Sequence, residues 1–445
     1  MDDNNDLTKV HFGGRWWRND DDDTASSMEH SWGLGTFIVR FQGSSKLVIR
    51  MKSAYSGLYY TCQIDDNSQE IKLLHDNSVE YFEVASNLVS TQEHIIRCGR
   101  NNEASWGTTI IYGLTLDRGG ELLQAEDPNV DNTMIRFEAI GDSITAGFKV
   151  TSNSAYDPLT IENQDVFHTY IRSMADAWNT SDYNVIAKTG ISILDHGQTD
   201  VTMPLEWSCR HFWDKWQVTC PTLWDFSNWQ ADVVTINLGT NDFFHGHPTQ
   251  QQFREGYLSF IQDVRAKYPN ALIACIEPIQ HSCSIVEDNN DAVKLNIITG
   301  IVNGLEQAVN DMSDLKVIYY KTTTGNNNSD DNNNNNNNQS WLDCTTNTTD
   351  FVDYIHPTVQ GNEKFATQLL QTMTKDVRRF FPEKCGGSGI FCKKTVVRLP
   401  PSLSIKIAAA TAVYLFVLVL FLFSAVGVCR CRLLRRRAVQ WCSRT

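Results

Sequence analysis

Positive charge is scarce in this 445-residue chain, and part of what there is collects at one end. Six of its 38 lysines and arginines, Arg430, Arg432, Arg435, Arg436, Arg437 and Arg444, lie in the last stretch with no acid among them. That leaves 32 against 52 acidic residues before it, a body near −20 that argues against nucleic acid or anionic polymers as partners. Paired cysteine spacing is also lacking. None of the nine cysteines ahead of residue 407 shows the C-x-x-C of a zinc site. His245, His247 and His281 suggest a metal by number only, so neither metal nor other cofactor is expected. A leader is lacking as well, since Met1-Asp2-Asp3-Asn4-Asn5-Asp6 is the opposite of a signal peptide.

Charge is lacking altogether from 407–428, 22 residues that as a helix of about 33 Å are long enough to cross a bilayer. The expectation is a single C-terminal transmembrane helix (405–428) with a basic cytoplasmic tail (429–445) and the body extracellular or lumenal. Sequons at Asn179, Asn338 and Asn347 are compatible with that side, and Cys429, Cys431 and Cys442 are open to palmitoylation. The acidic start conflicts with it: either the beginning is missing, or the protein is tail-anchored with its body in the cytosol. The basic tail and the cysteines favour the first. Cys62/Cys98, Cys209/Cys220, Cys283/Cys344 and Cys385/Cys392 are plausible disulfides, leaving Cys275 in an apolar strand. Buried free thiols are the alternative, and sequence does not fix connectivity.

What is present is apolar content of 41%, ample for two or three cores. After an acidic segment (1–25), short strand-like runs such as Phe37-Ile38-Val39-Arg40-Phe41 and Thr108-Thr109-Ile110-Ile111-Tyr112 alternate with turns such as Gly43-Ser44-Ser45. No helical period lies between them, so 26–125 reads as an all-β sandwich. Past a linker at Glu126-Asp127-Pro128 the rhythm changes. Strand-like 185–187, Val233–Asn237, Leu272–Ile276 and Val317–Tyr320 alternate with helical patterns (Phe167, Tyr170, Ile171, Met174, Trp178; Phe253, Tyr257, Phe260, Val264). That is the pattern of a mostly parallel α/β sheet covered on both faces, here over 130–381. An asparagine-rich run, 325–339, cannot bury a core and reads as a disordered loop. A helix bearing Phe365, Leu369 and Met373 closes the domain, and 382–404 forms a stalk.

The chemistry gathers at strand ends. Residues 134–148 read M-I-R-F-E-A-I-G-D-S-I-T-A-G-F, a buried strand running into Gly141-Asp142-Ser143. Acyl transfer needs a nucleophile, a base, a group that orients the base, and donors for an oxyanion. Ser143 follows the first strand, Gly190 the second, and Gly239-Thr240-Asn241-Asp242 the third, while Asp353 and His356 precede the last helix. Strand ends of a parallel sheet share one edge, so these residues can share a site.

The ordered set Gly141-Asp142-Ser143, Gly190, Gly239-Thr240-Asn241-Asp242 and Asp353-x-x-His356 resembles the four blocks of the SGNH (GDSL-type) hydrolases. The run from Trp224 to Phe243 and the fragment Gly14-Arg15-Trp16 are similar to the second carbohydrate esterase family, acetylxylan esterase-like enzymes with a jelly-roll-like sandwich ahead of the hydrolase domain. The resemblance implies a serine esterase acting on O-acetyl groups of polysaccharide or oligosaccharide. Ser143 would attack, His356 serve as base and then acid, and Asp353 orient it; Ser143 N–H, Gly190 N–H and the Asn241 side chain would hold the oxyanion. Members of that family differ in whether an acid completes the triad. Trp213, Trp216 and Trp224 are candidates for stacking on sugar rings, with core packing the competing account. Alternatives are an esterase of another small acyl ester, or a non-catalytic glycan-binding surface protein.

Overall fold

Alternation dictates the amino-terminal half. In Thr36–Gln42 every second side chain, Phe37, Val39 and Phe41, is buried while its neighbours reach solvent, as a strand with one covered face requires. Two six-stranded antiparallel sheets pack these inner faces together. One runs Trp17–Asn19, Ser27–His30, Gly107–Leu116, Leu47–Tyr55, Tyr81–Ala85, with Asp2–Asn4 also on Gly107–Leu116. The other runs Glu121–Leu123, Thr36–Gln42, Glu93–Arg100, Leu58–Ile64, Ile71–His75, with His11–Gly13 on Thr36–Gln42. Strands therefore begin well before the boundary expected at 26. Cys62 faces Cys98 across Leu58–Ile64 and Glu93–Arg100, and the two form a disulfide, while Cys275 is a buried free thiol.

The computed structural model describes residues 2–4, 6–20, 26–55, 57–65, 71–75, 81–125, 134–178, 180, 183–196, 202–203, 205, 223–279, 292–324, 339–342, 349–353 and 355–385. These fall in one compact unit, Met1–Cys392. Trp213, Trp216, the three sequons, the other proposed cysteine pairs, the asparagine run 325–338 and the stalk from 386 onward lie outside the described residues.

The second half is a five-stranded parallel sheet in the order Tyr183–Ala187, Phe137–Gly141, Val233–Asn237, Leu272–Ile276, Val317–Tyr320. All but the last strand are buried along their whole length, which is why they read as continuous apolar runs. Ile140, Val234, Ile236, Ile273 and Cys275 face the helices Gln250–Lys267 and Ala292–Asp311. Phe137, Ala139, Val233, Leu272 and Ala274 face Tyr170–Trp178 and Val359–Phe380. The sheet is thus the middle of three layers. Chain order reverses beside Phe137–Gly141, leaving a crevice at the carboxyl ends of it and of Val233–Asn237.

The transmembrane helix is corrected: among the described residues no helix is long and apolar enough to cross a membrane. The longest, Val359–Phe380, carries Glu363, Lys364, Lys375, Asp376, Arg378 and Arg379, because only one of its faces packs on the sheet. The stretch 407–428, on which the span rested, lies outside the described residues. Among the described residues the architecture is a β-sandwich and an α/β hydrolase domain with no membrane-crossing helix, and the single-pass placement with an outer body and a cytoplasmic tail is not retained.

Candidate active site

Asp142 caps the short helix Ser143–Ala146 through the Ile144 N–H (3.0 Å), so the strand turns sharply and Ser143 opens the helix with its own N–H free of an intrahelical partner. Gly141 is needed because the helix leans back on the strand: a Cβ there would lie 2.0 Å from Thr145 Oγ1. Asp142 is fully buried. Burial pushes its carboxyl up to about 7, with the nearby Asp242 adding to the rise and the Ile144 N–H and Thr240 opposing it.

His356 and Asp353 sit on a loop whose ends are tied together. The Val352 N–H donates to the His356 carbonyl (2.8 Å), and the Thr358 N–H donates to that of Asp350 (2.9 Å). Thr358 then caps Val359–Phe380. His356 Nε2 lies 2.8 Å from Ser143 Oγ, and Nδ1 lies 2.9 and 3.0 Å from the two Asp353 oxygens. A carboxylate only accepts, so Nδ1 carries the proton and Nε2 presents its lone pair to the Ser143 hydroxyl. Burial alone pushes the Asp353 carboxyl up. The His356 ring and the His356 and Ile355 N–H groups outweigh it and hold the group below the ordinary carboxylate value. Phe148 packs on the imidazole with ring centres 4.3 Å apart, a neighbour that apolar periodicity gave no means of finding.

Gly190 lies in a turn closed by the Ile191 N–H on the Lys188 carbonyl (3.3 Å), with φ of +80° at its third position. That is the left-handed conformation that makes glycine the fitting residue there. The turn is held from beyond the third strand. Asn241 Nδ2 donates one hydrogen to the Ile191 carbonyl (2.8 Å), and the buried Asp242 carboxylate accepts from the N–H groups of Ile193 (3.1 Å) and Leu194 (3.0 Å) and bonds His196. Asn241 keeps a second amide hydrogen to offer. Trp224 is half-buried, and Arg15, from the sandwich, lies 5.7 Å from its ring and 5.0 Å from that of Phe226.

The family described as GDSL-like Lipase/Acylhydrolase matches residues 139–364, and the Carbohydrate esterase 2 N-terminal family matches 12–125. Among curated proteins, the cellulase/esterase CelE of Acetivibrio thermocellus is 29% identical over 241 residues, 53% of this chain. The chain spans 26% of that relative's length. Among solved structures, a family two carbohydrate esterase from Clostridium thermocellum in complex with cellohexaose has a TM-score of 0.62 at 23% identity, over 83% of this chain and 99% of that one. An acetyl xylan esterase (Est2A) from the rumen bacterium Butyrivibrio proteoclasticus has a TM-score of 0.61 at 18% identity, over 83% and 96%. These structural likenesses concern the fold. With the strand, turn and loop geometry above matched by a family covering half its length, the chain belongs to the GDSL-like lipase/acylhydrolase family.

Proposed function

We propose that this carboxylic ester hydrolase removes O-acetyl groups from carbohydrate by a Ser-His-Asp mechanism. The observation that carries it is the unbroken line of hydrogen bonds from Asp353 through His356 to Ser143. Ser143 Oγ attacks the ester carbonyl as His356 Nε2 takes its proton. The oxygen that becomes negative is held by the Ser143 and Gly190 N–H groups and the Asn241 amide. Collapse breaks the bond to the sugar oxygen, which leaves with the proton from His356. Water, activated by the same imidazole, then releases acetate from Ser143. Asp353 keeps the ring in the tautomer this requires and stabilises the imidazolium. The acetylated carbohydrate is supported by the relatives, whose names cite acetyl xylan and cellohexaose, and by a sandwich matching the carbohydrate esterase 2 amino-terminal family.

The test compares acetate release from acetylated xylan, acetylated mannan and a short-chain aryl acetate, with Ser143→Ala as control. Turnover on an acetylated glycan that Ser143→Ala abolishes is the expected outcome. Unchanged turnover in that variant would remove the serine mechanism, and turnover of the aryl ester alone would remove the carbohydrate substrate.

A further inference from the structure

The oxyanion turn is gripped from a third direction, by the sandwich. Glu103, 2% exposed, follows directly on the strand Glu93–Arg100 and the two asparagines after it, and its Oε2 accepts the Thr189 N–H at 2.6 Å. Thr189 immediately precedes Gly190. The Thr189 carbonyl accepts from Lys188 Nζ (3.3 Å), and since C=O and N–H of a trans peptide point opposite ways, fixing that carbonyl directs the Gly190 N–H away from it. We propose that Glu103 is a positioning residue for ester hydrolysis, through which the sandwich sets the aim of the Gly190 N–H; this rests on the oxyanion role given to Gly190 above.

Glu103 is itself immobile. Its N–H donates to Gln164 Oε1 (3.1 Å), and its carbonyl accepts from the buried Arg100 Nη2 (2.7 Å) and the Trp106 N–H (3.2 Å). The residues before it reach the other side of the site. Asn102 Nδ2 donates to the carbonyls of Ile161 (2.7 Å) and Gln164 (3.0 Å), and Asn101 Nδ2 to Asp165 Oδ1 (2.7 Å). The Asp165 N–H in turn donates to the Gly147 carbonyl (3.1 Å), directly behind the helix that carries Ser143. One strip of sandwich thus ties the nucleophile's loop to the oxyanion turn. A carboxylate accepting a backbone N–H makes a stronger, shorter bond than a neutral acceptor, which suits a contact that must fix a direction. Mere adhesion between domains is the competing account, and it leaves turnover of the folded enzyme unchanged.

The experiment uses the full chain with Glu103→Ala, Glu103→Asp and Glu103→Gln, measuring kcat and KM on an aryl acetate alongside thermal unfolding. Glu103→Ala and Glu103→Asp, whose shorter carboxylate falls short of Thr189, lower kcat about 10- to 100-fold with KM within about threefold, the scale of a small misplacement of a reacting group. Glu103→Gln, whose side-chain carbonyl accepts the same N–H, stays within about threefold of the parent. Parent-like kcat in Glu103→Asp overturns the proposal, as does a Glu103→Gln loss equal to that of Glu103→Asp. Should Glu103→Ala not fold, Glu103→Asp decides alone. Ser143→Ala separates the two readings: if it is inactive while the Glu103 variants are parent-like, only the positioning role fails.

Discussion

Asn241 shows how much one side chain is asked to do, since it anchors the Gly190 turn through Ile191 with one amide hydrogen and, in the proposed mechanism, would offer the other to the reacting ester. Asn241→Ala is expected to lower kcat by about 10²–10³, the scale for one oxyanion donor, and a loss below threefold in steady-state assays counts against that role. Asp142 gives a prediction about stability instead. Its folded pKa is raised from 3.8 to about 7, so the native state holds a proton that the unfolded chain has released in that window. The stability it lends is full below 3.8 and is lost as pH rises towards 7. Asp142→Asn keeps the cap on Ile144 and removes the titration. Melting curves at stepped pH values should show the parent's Tm falling across this window and the variant's falling less.

Among the elements, the 188–191 turn carries the finest tolerance. A Cβ at Gly190 meets nothing within 4 Å, so Gly190→Ala creates no clash and acts only through backbone strain at φ +80°. The strain is about 1–2 kcal/mol. Denaturant titration should register a loss of that size, and kcat should fall with it as the turn relaxes and the N–H swings away. The loop 350–358 is positioned differently, by hydrogen bonds across its own ends, so Asp353 and His356 travel together as a unit.

On the scale of the whole molecule, sandwich and hydrolase domain share a buried ion pair. Arg15 meets Glu138, in the strand Phe137–Gly141, at 2.9 Å with both side chains fully buried, and it also reaches the Leu205 carbonyl. Removing one partner leaves the other charge buried and unpaired, which costs about 3–5 kcal/mol. Arg15→Ala should therefore lower the unfolding free energy by about that amount in denaturant. The parent should unfold both domains in one calorimetric transition, and two separate transitions would show that the interface does not couple them.

Ser143, Gly190, Asn241, Asp353 and His356 could be singled out as candidates because they stand where apolar strands end or the last helix begins, and the structure brings Ser143, His356 and Asp353 within hydrogen-bond distance; the parallel sheet followed from strands buried on both faces alternating with amphipathic helices. The sandwich was legible from its period of two, but its first strands, at Asp2–Asn4, His11–Gly13 and Trp17–Asn19, were not, being only three residues each and too short to show any period. A long uncharged run read as a membrane span, and no helix of that kind stands among the described residues. Sequence by itself determined the chemistry on offer, since residue type fixes what can attack, accept a proton or donate to an oxygen. Only the tertiary structure decided who stands behind those groups. Phe148 beside the imidazole, Asp242 under the turn, and Glu103 and Arg15 from the other domain act through contacts between distant segments, and such contacts leave no periodic trace along a chain.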